Sequence, residues 1–164
     1  MKKIILLLVF LSCSITGRSQ DFSDLASIPL DNAENCKKAE PKVMECAQYL
    51  LSNPAAEDFA NINAMKFIMS WMEKTPDFTF ELDGNLLKAI DSDASLIARY
   101  LASQAKTAIN KGSIKNKDEF EIEYATLFLE YCEQPKNNVK LTSKLKKFIK
   151  AKNENRLKEA LGQV

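Results

Sequence analysis

Residues 57–73 read EDFANINAMKFIMSWME, and the fold class is decided by this run. Phe59, Ile62, Met65, Phe67, Ile68, Met69, Trp71 and Met72 cover most of a helical circumference. Asn63, Lys66, Ser70 and Glu73 gather on one narrow polar strip. A helix that is apolar nearly all round is packed on several sides, so this segment is expected to be the central helix of an all-α domain. Met65, Met69, Trp71 and Met72 also form the candidate ligand pocket, since polarizable thioethers beside an indole suit an apolar ligand. Helical periodicity alone accounts for the same residues as core.

Upstream, Ser52-Asn53-Pro54 closes a helix expected to open at Pro41, because proline is tolerated in a first helical turn. Val43, Cys46, Ala47, Leu50 and Leu51 mark its apolar stripe. Asp31, with Glu34 three residues on, reads as the N-cap of a separate short helix to about Ala39.

Downstream, Thr75-Pro76 is a stop. Asp77 to Leu82 alternates polar and apolar residues, but a lone strand builds no sheet. It is expected to be an extended loop pinned by Phe78 and Phe80, followed by an Asp83-Gly84 turn and a helical turn or two over 85–90. Asp91 or Ser92 is expected to cap the next helix, which runs to about Asn110, is rich in alanine for close helix approach, and stops at Lys111-Gly112. Asp118 is expected to cap a helix to about Glu133, with Phe120, Tyr124, Leu127, Phe128, Tyr131 and Cys132 on one side and Glu119, Glu123 and Glu130 on the other.

A basic C-terminal helix starts near 139, with Leu141, Leu145, Phe148 and Ile149 beside a stripe of Lys140, Lys144 and Lys147. Leu157, Ala160 and Leu161 fall off the first stripe at 3.6 residues per turn, so the helix bends or restarts between Asn153 and Asn155. The expectation is a single all-α domain over 31–164, with five or six antiparallel helices and no sheet. No fixed tetratricopeptide spacing recurs, although a helical-repeat-like arrangement still fits.

Composition agrees: 164 residues with 46% hydrophobic, 27% charged, 4 Gly and 5 Pro describe a helix-rich globular chain. The absence of histidine excludes His-based triads, His-ligated zinc and histidine pH switching. No Gly-rich phosphate loop and no GxSxG nucleophile elbow is present. Asp91-Ser-Asp93 begins like a calcium loop, but Leu96 stands where that loop needs Gly and Ala102 where it needs Glu. No catalytic residue, metal or cofactor is implied, and the expectation is a non-enzymatic protein.

The N-terminus carries an export signal. Lys2 and Lys3 precede the apolar run Ile4–Leu11, and Gly17 and Ser19 suit a signal peptidase, so 1–19 reads as a signal peptide cleaved between Ser19 and Gln20. The run is far shorter than the ~20 residues of a membrane span, and no later segment spans a membrane. Lipidation at Cys13 is the alternative, although Phe10 stands where a lipobox wants an aliphatic residue. Residues 20–30 read as an extended lead-in.

The leader removes three basic residues and no acid, so 20 Lys+Arg face 22 Asp+Glu, a net −2. From 139 onward eight basic residues meet two acids, a basic tail on an acidic body. The tail is expected to pair in part with the acidic body, especially the Glu119/Glu123/Glu130 stripe, and otherwise to be solvated, with weak contact to an anionic surface as a further role. A nucleic-acid partner does not fit an exported chain of net negative charge.

Cys36, Cys46 and Cys132 are an odd set, so at most one intramolecular bridge forms. On one continuous helix Cys36 and Cys46 would lie ~15 Å apart, beyond disulfide reach; only a sharp hairpin at Pro41 would join them. The other reading is three small buried hydrophobes.

Three stretches carry a resemblance: Glu40-Pro41 through Tyr49-Leu50-Leu51-Ser52-Asn53-Pro54; Phe67-Ile-Met-Ser-Trp-Met-Glu-Lys-Thr-Pro-Asp-Phe-Thr-Phe80; and Leu129-Glu-Tyr-Cys-Glu-Gln-Pro-Lys-Asn-Asn138. They resemble small exported, uncharacterised helical proteins of Bacteroidetes. The resemblance implies export and an all-helical fold, and carries over no activity or functional residue. The functional expectation is a protein-binding or adapter module of the periplasm or medium; the alternative is a binder of a small apolar ligand or lipid.

Overall fold

The computed structural model describes residues 22–90 and 93–163. The leader, the Ser19/Gln20 junction, Cys13 and the expected caps Asp91 and Ser92 lie outside them. Among the described residues there are six α-helices and no strand: α1 (Ala33–Ser52), α2 (Phe59–Lys74), α3 (Ala94–Lys111), α4 (Lys117–Glu133), α5 (Ser143–Asn153) and α6 (Leu157–Leu161). The lead-in expected to be extended holds a 3-10 turn, Ser23–Ser27, and the 85–90 turn is Leu87–Ala89.

Five helices begin in the same way. Asn32, Asp58, Asp93, Asn116 and Thr142 each accept a hydrogen bond from the backbone N–H three residues on. Each side chain satisfies one of the four orphan donors of a helix start. The expected caps Asp31 and Asp118 are therefore corrected to Asn32 and Asn116. Asp31 instead accepts from the Asn35 side-chain amide at 2.7 Å, and Asp118 sits in the first turn of α4, where the helix dipole favours a carboxylate.

Pro41 does not start a helix. It lies inside α1, which runs unbroken through both segments expected to be separate. Proline leaves the Lys37 carbonyl without its N–H donor, at a place where both residues are exposed to solvent. The core face of α1 is continuous: Cys36, Ala39, Val43, Cys46, Ala47 and Leu50.

The central helix is α3, not α2. Eleven of its eighteen residues are buried, and α1, α2 and α4 all pack on it. Ala98, Ala102, Ala105 and Ala108 permit that approach. The sequence pattern hides this role, because α3 also buries Arg99, Ser103, Gln104 and Thr107, residue types that read as an outer face. Conversely, α2 leaves Phe59, Ile62 and Met69 exposed.

Two ties fix the packing. Trp71 is fully buried, its Nε1–H donates to the Cys36 carbonyl at 3.0 Å, and its ring contacts Phe78 and Phe80 with centroids 5.8 and 5.9 Å away. Residues 77–82 are thus the pinned loop that the sequence indicates. Arg99 is 2% exposed and has no carboxylate in ion-pair contact among the described residues. Its guanidinium donates to Asn61 Oδ1, to the Pro54 carbonyl (3.3 Å) and to the Ser95 carbonyl (3.4 Å), and lies 5.7 Å from the Tyr131 ring centroid. The C-terminal helix breaks where expected: Asn155 adopts φ 56° between α5 and α6.

Two outcomes follow for stability. Pro41→Ala restores one helical hydrogen bond at an exposed site and is expected to raise stability by about 1–3 kcal/mol, less a few tenths for the freer unfolded chain, measured by urea denaturation. Arg99→Met strands the Pro54 and Asn61 acceptors and is expected to cost about 2–4 kcal/mol in the same measurement.

Candidate functional site

Two positions along an α-helix turn by about 200°, so Met69 and Trp71 cannot share a face. The structure divides the candidate pocket accordingly. Trp71 points into the core with Ala60, Ala64, Phe67 and Ile68. Met65 and Met72 rest half-buried against the edge of that core. Met69 is 47% exposed. The three methionines belong with Phe59 (79% exposed) and Ile62 (37% exposed) to a second apolar stripe on the outer side of α2. Ile62, Met65, Met69 and Met72 step by 3, 4 and 3 residues, the spacing of a helix–helix seam.

Lys66 and Glu73 flank this stripe and are exposed. Ordinary surfaces scatter large apolar side chains singly, whereas here they stand in one row with a polar rim. Apart from Leu82, the exposed large hydrophobic residues among those described all lie on this one helix. The signal for the stripe is present in the sequence as the 3-4-3 step, separate from the core positions. It is masked because both stripes together read as one all-round apolar helix.

The three cysteines among the described residues are buried and their thiols are raised. Cys36, Cys46 and Cys132 are free and buried. Cys36 and Cys46 are ten residues apart on the unbroken α1, which keeps them ~15 Å apart and out of disulfide reach. Burial pushes the Cys46 and Cys132 thiols up to about 12 and raises Cys36 as well. The thiolate needed for nucleophilic attack is therefore scarce.

The basic tail pairs in part with the acidic body, as expected, but at Glu133 and not at the Glu119/Glu123/Glu130 stripe. Glu119 and Glu123 are taken by Lys111, at 3.0 and 2.6 Å, from the C-terminus of α3. The Pro135–Asn137 turn brings α5 back over the end of α4, where Lys152 and Asn153 meet Glu133. Burial raises the Glu133 carboxyl, but the Lys152 and Asn153 hydrogen bonds outweigh it and leave it below the usual carboxylate range. Lys140, Lys144, Lys146, Lys147 and Lys158 form no ion pair among the described residues. Lys88, Lys144 and Lys147 rim a shallow groove of about 400 Å³, floored by Ala89, Phe148 and Ala160.

A thiol-reactive dye checks the cysteine geometry. Native protein is expected to react slowly, unfolded protein to titrate three thiols once the leader is gone, and a reductant to leave the melting temperature unchanged. A fast native thiol or a reductant-sensitive melt would contradict the buried, unbridged arrangement.

The chain matches no protein-family model, no curated protein and no solved structure.

Proposed function

We propose that the protein is an exported, non-enzymatic interaction module that binds an amphipathic helix of another protein along the outer stripe of α2. The observation that carries this reading is the row of Phe59, Ile62 and Met69, exposed and in line with the half-buried Met65 and Met72. The 3-4-3 step suits the knobs of a second helix, and flexible, polarizable methionines adapt to a partner's shape. Lys66 and Glu73 supply one charge of each sign to set the partner's register. Export rests on the Lys2/Lys3 start, the Ile4–Leu11 run and the Gly17/Ser19 pair.

A second reading is a binder of an anionic amphiphile at the lysine groove. It is favoured by three lysines without ion pairs standing over an apolar floor. Such a contact is weak, at about 1 kcal/mol per lysine against an anionic surface.

A photo-crosslinking residue placed at position 69 or at position 147 separates these readings in the cell envelope. The interaction module predicts a discrete protein adduct from position 69, lost when Ile62→Lys is added, and no comparable protein adduct from 147. A lipid adduct from 147 with none from 69 would move the assignment to the groove. The denaturing mass of the isolated protein tests export directly: a chain beginning at Gln20 supports it, and one beginning at Met1 rules it out.

A further inference from the structure

Two hollows of opposite character stand away from the Ile62–Met72 row. Between the loop 79–84 and α4, Glu81, Asp83, Asp118 and Glu121 line an acidic cleft, which as a cluster of carboxylates is a charged surface and no more. The other is a groove of about 320 Å³ between residues 22–30 and α2.

Residues 22–30 lie against α2 as a strap anchored at both ends. Phe22 is buried, edge-on to Tyr49 of α1 with ring centroids 5.1 Å apart, and Leu30 is buried at the other end. Leu25 is buried between them, and its carbonyl accepts from the Ile28 N–H at 3.1 Å. Asp24 does not line the groove; its carboxylate reaches toward Lys42 of α1 at 4.0 Å.

The two walls of the groove do not match. The strap contributes Leu25, Ala26, Ile28 and Leu30, and Phe67 of α2 adds an apolar floor. Facing them, α2 presents Asn63, Lys66, Ser70 and Lys74, which step by 3, 4 and 4 residues along one side of the helix. Three of these belong to the polar strip read in the sequence, and Lys74 stands in place of Glu73. An apolar strap over an apolar helix face would close by packing. Here strip and strap cannot satisfy each other, and the space between them stays open.

The charge in this space has one sign. No acidic residue lines it, and Lys66 and Lys74 form no ion pair among the described residues. Asp31 shares the neighbouring hollow with Lys74, but its carboxylate is engaged by the Asn35 side-chain amide at 2.7 Å. Each lysine stands one helical turn from Ser70, about 6 Å along the axis, so both flexible stems reach a group held at that hydroxyl. Two ammoniums and a hydroxyl can donate together to a carboxylate, which only accepts, while Leu25, Ile28 and Phe67 receive an apolar chain. A volume of about 320 Å³ is at the small end of ligand pockets, room for a chain of medium length.

We infer that this groove binds a medium-chain carboxylate, its head at Ser70 between Lys66 and Lys74 and its chain under the strap along Leu25, Ile28 and Phe67. Only Lys66 is shared with the rim of the Ile62–Met72 row, so failure of this site would leave the interaction module untouched.

Titration of the purified protein with sodium octanoate, followed by 1H–15N NMR, tests the inference. Saturable shifts are expected at the backbone amides of Ser70, Ala26 and Ile28. Acetate keeps the head without the chain, and octanol the chain without the head; each is expected to bind at least about tenfold more weakly. Lys74→Gln changes an exposed position, keeps the fold, and is expected to weaken octanoate about fivefold, with a further loss when Lys66→Gln is added. Ala26→Glu sets a carboxylate on the exposed rim of the strap and is expected to abolish saturation, whereas Ala26→Gln, of the same size, is expected to retain binding. No saturation, octanol binding as tightly as octanoate, or equal affinities of the wild type and the double lysine variant would overturn the site. Shifts confined to residues 144–148 would also overturn it, since they would place the carboxylate at the lysine groove of α5 instead.

Discussion

The arrangement depends on one buried cation. Arg99 sits on α3, accepts no help from a carboxylate among the described residues, and is instead solvated by Asn61 of α2, the Pro54 carbonyl after α1 and the Ser95 carbonyl of its own helix. Its contact with Tyr131 adds α4. A charge taken out of water is tolerable only when most of its donors are met; here the two terminal nitrogens are met by three acceptors from three parts of the chain, while Nε has no hydrogen-bond partner. The tie therefore orients the α1–α2 connection and α2 relative to α3 in a way that apolar packing alone, being non-directional, would not. The Trp71–Cys36 hydrogen bond does the same at the other end of α2.

With both ends held, α2 has one face for the core and one left over. Ala60, Ala64, Phe67, Ile68 and Trp71 fill the inner face, and α3 cannot also cover Phe59, Ile62 and Met69. The outer stripe follows from the geometry of the ties, since a helix turned by half a revolution would bury the methionines and strand Trp71. That coupling is why the position of the candidate interface and the identity of the central helix are the same question.

Much of this was legible in the residues. The all-helical class, the pinned Phe78/Phe80 loop, the Gly112 stop and the break near Asn155 follow from local rules: periodicity, φ > 0 glycine and loss of register. The misreadings share a cause. Asp and Asn stand within two residues of each other at both helix starts and either type can cap, so local rules do not choose between them; Asn32 and Asn116 are the caps, not Asp31 and Asp118. Pro41 breaks an isolated helix, but here the buried row from Cys36 to Leu50 on both sides of it supplies the packing that carries the helix through. The central role went to α2 because its polar residues are few, whereas α3 hides Arg99, Ser103, Gln104 and Thr107 inside. The acidic cleft could not be read at all, since its carboxylates come from a loop and a helix brought together only by the fold.

The C-terminal helix α6 joins the two charged features. Leu161 lines the acidic cleft and Ala160 the lysine groove, while Asn85 donates to the Leu161 carbonyl at 3.3 Å and Gln163 reaches Glu121. Opposite potentials thus stand on either side of one five-residue helix, in a chain whose formal net charge is only +1. At physiological salt the screening length is about 8 Å, so adjacent patches of opposite sign largely cancel at a distance and act only on a group already in contact. Long-range steering by charge is weak for such a surface, so a partner of either patch would be selected on contact, by shape and hydrogen bonding.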